Sequence, residues 1–371
     1  MTVRENVKAI MAYQNFDSLP LVHFGFWPET LERWRDDGDI TPEQCEAWKD
    51  SVAAREDIKN RLGFDFNWQP TINCGAGLFP PFEEEVLETF PDGRKTIRNA
   101  DGAIVMVKEG VVSIPTETGH TLTDRKSFEE HYRLRLQFDL ARIHPENYLP
   151  FLDDAGREIP KGVYCCSMIG DVRNWLGLEN LAYLWVDDED LFREIVDTAA
   201  EMSYQCIKTV LELGPKFDYG HFWEDMCYNN GPLISPQIFD ELAGPHYRRV
   251  ADLLRSHGVD ILSVDCDGQI DMLVPTWIEN GIDVMFPIEY SNWKADIKKL
   301  REKYGKAVRG VGGMNKAVFA QSYAEVDAEV ERLRPLVELG GYIPCPDHLI
   351  VPDAKFANVA HYCEEMRRVF G

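Results

Sequence analysis

From about residue 160 to the C-terminus, short apolar runs alternate with longer amphipathic stretches, and this alternation constrains the fold more than any other feature of the chain. The apolar runs at 162–168, 216–222, 259–264, 282–288, 307–311 and 341–344 have strand length. Helical patterns begin between and after them, near Asp187, Ser235, Ile270, Trp293, Ser322 and Lys355. Strand and helix in regular succession predict a parallel sheet with helical crossovers. Adding the early run Leu19-Pro20-Leu21-Val22-His23-Phe24 and a strand near 147–151 gives eight strands, the number of a (β/α)8 TIM barrel. The 371 residues are long for one compact domain but suit a barrel with an N-terminal extension. No short repeat, low-complexity tract or Ser/Gly linker breaks the sequence, so 1–371 reads as a single domain.

A different texture fills residues 60–125, where turn residues separate alternating segments. Pro91-Asp92-Gly93 precedes Arg94-Lys95-Thr96-Ile97-Arg98, and Asp101-Gly102 precedes Ala103-Ile104-Val105-Met106-Val107. Asp-Gly between alternating runs signals a hairpin. We therefore expect a small β-meander inserted at about 65–115, placed to serve as a lid or as the face of a homodimer.

Charge excludes whole classes of partner. A formal net charge of −24 cannot neutralise nucleic-acid phosphates and is repelled by anionic membrane surfaces. No run approaches the roughly 20 apolar residues of a membrane span, and the opening Met1-Thr2-Val3-Arg4-Glu5-Asn6-Val7-Lys8 lacks a signal-peptide core. Nine cysteines without a Cys-x-x-Cys pair read as free thiols in a reducing cytoplasm.

Chemistry gathers where the apolar runs end. Ile261-Leu262-Ser263-Val264 leads into Asp265-Cys266-Asp267-Gly268, Ile282–Ile288 leads into Glu289, and Gly341-Tyr342-Ile343 leads through Pro344-Cys345-Pro346-Asp347 into His348. In a barrel these ends share the face that holds the active site. Three carboxylates and an imidazole there suit a divalent metal or proton transfer, whereas Asp alone also serves as a helix N-cap. His221, Trp223, Glu224 and Tyr228 follow an earlier strand, and Phe24-Gly25-Phe26-Trp27 follows the first. His221 and Glu224 suit substrate contacts or ion pairs. Phe24, Trp27 and Trp223 suit either pocket walls or core. Ser235-Pro236 reads as an N-cap with Pro at the first helical position. Gly310-Val311-Gly312-Gly313 is too short to identify a phosphate cradle by itself.

Taken together, these segments make the chain resemble the uroporphyrinogen decarboxylase superfamily. The resemblance rests on Arg4-Glu5-Asn6 with Asp17-Ser18-Leu19-Pro20, Gly231–Pro236, Val264–Gly268 with Leu273-Val274-Pro275, Gly281–Val284, and Gly340–Pro344 with Asp347-His348. It implies a TIM barrel and one of two chemistries. Decarboxylases of the family grip substrate carboxylates with an early Arg-Gln-Ala-Gly-Arg motif, where this chain has Phe24-Gly25-Phe26-Trp27-Pro28-Glu29. Their Phe-Ser-Asp segment is also missing, though His348 matches their late histidine.

The zinc methyltransferases of the superfamily use a His-x-Cys pair, an acidic residue and a late Cys to move methyl groups to or from corrinoid proteins. On that pattern Asp265 and Asp267 take the His-x-Cys positions, Glu289 the acidic one and His348 the late Cys. An oxygen-rich ligand set leaves a metal a stronger Lewis acid than a thiolate set does, which favours an oxygen-bound methyl donor.

The resemblance thus implies a corrinoid-dependent O-demethylase methyltransferase acting on a small methoxyaromatic compound. Its cofactors would be zinc and a Co(I) corrinoid (cobamide) carried by a partner protein. Expected metal ligands are Asp265, Asp267, Glu289 and His348. Expected catalytic residues are His348, Glu224 and Asp267, with Phe24, Trp27, His221, Trp223 and Tyr228 around the substrate. The alternatives are a decarboxylase of a small carboxylic acid, supported only by Arg309 and Arg173 near strand ends, and a barrel that binds a small molecule or corrinoid without turnover.

Overall fold

Strands of a parallel sheet covered by helices are buried on both faces, so they read as unbroken apolar runs rather than alternating ones. The computed structural model describes residues 1–49, 51–108 and 115–371 and places most of the predicted runs in that setting. In chain order, Val22–His23 (β1) pairs in parallel with Phe66–Asn67 (β2). Glu85–Thr89 (β3), Arg94–Arg98 (β4), Ala103–Lys108 (β5) and Thr116–His120 (β6) form an antiparallel meander in the order β3-β4-β5-β6. Residues 109–114 of the expected insertion lie outside the described residues.

The remaining strands are Gly162–Tyr164 (β7), Tyr219–Trp223 (β8), the short hairpin Cys227–Tyr228 (β9) and Gly231–Pro232 (β10), Ile261–Asp265 (β11), Val284–Ile288 (β12), Arg309–Met314 (β13) and Tyr342–Pro346 (β14). Six of these make one parallel sheet ordered β14-β13-β12-β11-β8-β7. Every residue of β11, β12 and β14 is buried. Single parallel bridges, Phe26 to Ile350 and Ile72 to Val163, flank the β1–β2 pair on the two sides. The result is an α/β fold consistent with a TIM barrel.

One expected strand is corrected. Residues 147–151 belong to short 3-10 turns at Pro145–Asn147 and Leu149–Phe151, and the additional short parallel strand is β2 instead. Pro145 and Pro150 each remove a ladder donor and favour a tight turn, which outweighs the apolar side chains around them. Conversely, β2 falls inside the stretch expected to belong to the meander. A two-residue strand carries too little pattern to be distinguished there.

The crossover helices bury one stripe each. In Glu189–Glu212, Leu191, Phe192, Ile195, Val196 and Ala199 recur at helical spacing and are all buried. Each fully buried aliphatic or aromatic side chain there contributes about 1.5–3 kcal/mol relative to exposure. The meander is anchored to the helix Gly170–Asp187, which breaks at Gly177. Gly177 has φ +74°, and a Cβ there would lie 2.1 Å from Nε2 of His120 in β6. No helix among the described residues is long and apolar enough to cross a membrane.

Candidate active site

Parallel strands deliver the residues that follow them to one face. Asp225 lies two residues past β8, Asp267 two past β11, Glu289 one past β12, Lys316 two past β13 and His348 two past β14. Backbone bonds hold the ends level: Glu224 N donates to Asp265 O at 2.8 Å, Cys266 N to Phe286 O at 2.9 Å, and Asp347 N to Met314 O at 3.0 Å. A cavity of about 400 Å³ opens over these ends, lined by Trp27, Tyr228, Asp267, Glu289, Trp293 and His348 among others. Its size is that of a small-molecule site.

Asp267 joins this lining to an acidic triad whose other members, Asp225 and Asp265, lie behind it and do not line the cavity. Asp225, Asp265 and Asp267 each offer a carboxylate oxygen, and these oxygens lie within 4.8 Å of one another. Extended backbone puts residues two apart on one side, so Asp265 and Asp267 both reach the cluster. Asp225 has φ +47° and accepts from Asp267 N at 3.0 Å. Burial, then repulsion from its neighbours, holds the Asp265 carboxyl well above the ordinary carboxylate range. Burial and the Asp267 charge push Asp225 up to about 6.

His348 stands above the triad, its Nε2 3.1 Å from Asp267 Oδ2. The imidazole is clamped by aromatic rings: Trp27 stacks on it at 6.2 Å and 22°, and Phe24 meets it edge-on at 4.9 Å. Below the triad, His221 Nδ1 lies 2.7 Å from Ser263 Oγ. Its Nε2 faces Asp265 Oδ2 at 3.9 Å and has no hydrogen-bond partner among the described residues. Burial lowers its pKa to about 3, so the ring is neutral and Nε2 is either a lone pair or an unpaired N–H.

Glu289 has a different set of partners. It accepts from Gly268 N at 2.6 Å, Trp293 Nε1 at 2.7 Å and Asn292 Nδ2 at 3.3 Å. Gly268 makes this contact possible, because at φ +90° a Cβ would meet the Cys227 carbonyl at 2.9 Å. Of the four expected metal ligands, the structure groups Asp265 and Asp267 with Asp225, while Glu289, which accepts from three donors, and His348 lie outside that group.

Glu224 does not line the cavity. It is fully buried, accepts from the backbone of Met168, Ile169 and Gly170 at 2.6, 3.0 and 2.8 Å, and also bonds the Ser167 and Tyr247 hydroxyls. With its acceptor capacity filled at a helix N-terminus, it has no free oxygen for substrate. Trp223 lies under the Arg173 guanidinium at 5.6 Å, and Phe24 sits buried behind His348. Arg309 begins β13, at the opposite end from the cavity, and pairs with Asp283. Arg173 donates to Asp225 O at 2.6 Å.

Three residues escaped sequence reasoning. Asp225 was overshadowed by its neighbour Glu224, and only a backbone conformation decides which of two adjacent carboxylates turns inward. Lys316 lines the cavity with its Nζ 3.8 Å from Asp347 Oδ1, and its strand-end position was the available signal. Trp293 was visible only as the start of a helical pattern.

The triad's chemistry fits a divalent cation. Three carboxylates in mutual repulsion, with Asp267 Oδ1 and His221 Nε2 both buried and unpartnered among the described residues, form an oxygen-rich, partly imidazole ligand set. Cys266, between the two aspartates, offers no thiolate, because burial and the neighbouring Cys227 keep its pKa well raised.

Residues 165–369 match the family model described as uroporphyrinogen decarboxylase (URO-D). Among solved structures, a methyltransferase from Methanosarcina mazei is similar with a TM-score of 0.61 at 15% identity, over 100% of this chain and 99% of that one. A putative vitamin-B12 independent methionine synthase from Listeria monocytogenes is similar at 13% identity over 96% of this chain and 100% of that one, with a TM-score of 0.42. No curated protein sequence matches the chain.

Proposed function

We propose that this chain, which belongs to the uroporphyrinogen decarboxylase family, is a methyltransferase that removes the methyl group of a small methoxyaromatic compound and passes it to the Co(I) corrinoid of a partner protein. The observation that carries this reading is the oxygen-rich triad Asp225, Asp265 and Asp267 with His348 held on Asp267. Thiolate ligands donate charge to a metal and help keep a bound thiol nucleophilic, and here the cluster is carboxylate. The fold-level likeness to a methyltransferase supports the same direction.

In this reading Asp225, Asp265 and Asp267 hold a divalent metal such as zinc, with His221 and His348 as the adjacent imidazoles. When bound, that metal supplies Lewis-acid polarisation of an ether oxygen. The chain's own residues do the rest. Trp27, Tyr228 and Trp293 sandwich the aromatic ring and exclude water from the reacting oxygen. His348, oriented by Asp267 and clamped by Phe24 and Trp27, is placed to donate a hydrogen bond to the departing oxygen. A Co(I) corrinoid presented by the partner would supply the electron pair that takes the methyl carbon, and the pair of the O–CH3 bond would stay on the oxygen. Glu224 is assigned to the helix it caps.

Decarboxylation of a small acid is the second reading, favoured only by Lys316. That ammonium is turned to Asp347, and no arginine among the described residues lines the cavity. The deciding experiment mixes protein, zinc, cob(I)alamin and a series of methoxyphenols. The expected result is loss of the cob(I) spectrum with stoichiometric release of the demethylated phenol. Methyl transfer confined to thiols, or carbon dioxide release from carboxylic acids without demethylation, would reject the proposal.

A further inference from the structure

A second cleft, of about 560 Å³, shares no lining residue with the strand-end cavity. One wall is a face of the helix Val52–Leu62, which presents Val52, Arg55, Glu56 and Lys59 at the spacing of one helical stripe. Facing it are Phe66 of β2, Pro160 and Lys161 leading into β7, and His23 at the end of β1. Trp48 closes one side.

The charges of the cleft do not cancel. Lys59 is committed, with Nζ 2.6 Å from Glu56 Oε2 and 3.1 Å from Asp65 O. Asp65 in turn accepts from Arg367 Nη2 at 2.9 Å and Leu21 N at 2.7 Å. That leaves two cations. Arg55 donates only to the Lys49 carbonyl, at 3.2 Å, and the Lys161 ammonium has no partner, both among the described residues. In a chain of net charge −24, carboxylates are plentiful, so two cations with no carboxylate partner among the described residues at a single cleft suit an external anion. His23 lies beneath the cleft, 3% exposed, with its Nδ1 sealed from solvent.

We propose that this cleft binds a small organic anion with a flat apolar body, its acid group directed to Arg55 and Lys161 and its ring against Trp48, Phe66 and Pro160. The two cations favour an acid, and the aromatic and proline walls favour a planar hydrocarbon over a sugar. Carboxylate and phosphate share this chemistry, and the test separates them.

Calorimetric titrations of the full-length protein with 1-naphthoate, 1-naphthyl phosphate and the neutral 1-naphthamide test the site. At least one anion is expected to bind, with the amide about tenfold or more weaker, the equivalent of about 1.4 kcal/mol. The tighter anion identifies the preferred acid. Arg55→Ala with Lys161→Ala should weaken anion binding about tenfold or more while leaving the melting temperature unchanged, since both residues are exposed. Trp27→Ala, which alters the strand-end cavity, should leave it intact. The inference is overturned if neither anion binds, if the amide binds equally well, if the double variant binds like the parent, or if Trp27→Ala alone abolishes binding.

Discussion

Asp225 sits where three carboxylates compete for too little solvent, and its proton affinity gives the metal-free protein a distinctive pH response. Its folded-state pKa is pushed up to about 6 from an ordinary 3.8. Between these values the folded chain keeps a proton that the unfolded chain has already lost, so this group's contribution falls as pH rises from about 4 to 6. Asp225→Asn removes that loss. In the presence of chelator, its stability relative to the parent should improve by on the order of 2 kcal/mol between pH 4.5 and 7, from about 1.4 kcal/mol per pKa unit with part of the loss already taken by pH 4.5. Urea titrations at the two pH values check this, and an unchanged difference would mean that Asp225 lies outside the repelling cluster.

His348 makes a kinetic prediction. His348→Ala should slow demethylation by roughly 10²–10³, about 3–4 kcal/mol, for substrates with poor phenolate leaving groups. The loss should shrink for nitro-substituted donors, which need less help. Rates across a leaving-group series measure it, and uniform damage would assign His348 to packing between Phe24 and Trp27.

At the scale of the element, helix starts and strand ends divide the acidic residues into two kinds. Glu224 neutralises the N-terminus of the helix Gly170–Asp187, taking three backbone donors. Glu224→Gln replaces one acceptor oxygen with a donor, leaving at least one N–H unpaired, at about 1–3 kcal/mol. The urea midpoint should fall while zinc content stays at the parental level. Zinc loss at unchanged stability would instead place Glu224 in the site.

The sequence made the strand-end logic legible, because apolar runs leading into Asp265, Glu289 and His348 announce both the sheet and the face. It did not distinguish Glu224 from Asp225, since which carboxylate turns toward Asp265 and Asp267 depends on a φ of +47° at one residue. It could not reveal that Gly268 occupies Glu289, a contact between separate turns, and the local donors Asn292 and Trp293, three and four residues on, were hidden because the short helix after Glu289 was not expected to begin so soon. The run at 147–151 misled because apolar composition was weighed above two prolines, and β2 was hidden by having only two residues.

For the molecule as a whole, family membership and a parallel α/β architecture narrow the chemistry without naming a substrate. The meander β3–β6 leans on the helix that Glu224 caps, so the cover of the fold and the scaffold of the site are mechanically joined through His120 and Gly177. We propose that the whole of 1–371 acts as one domain, with the meander as its elaboration. A net charge of −24 leaves a basic face as the natural complement on any protein that presents the methyl acceptor.

The central claim is that an all-aspartate triad, drawn from β8 and β11, holds the metal. Anomalous diffraction at the zinc edge, from crystals grown with zinc, tests it most directly. The predicted result is one strong peak bounded by the carboxylates of Asp225, Asp265 and Asp267, at about 2.0–2.2 Å from their oxygens. A peak centred on Glu289 and His348 without Asp225, or one confined to the surface group Asp327, His361 and Glu365, would contradict it.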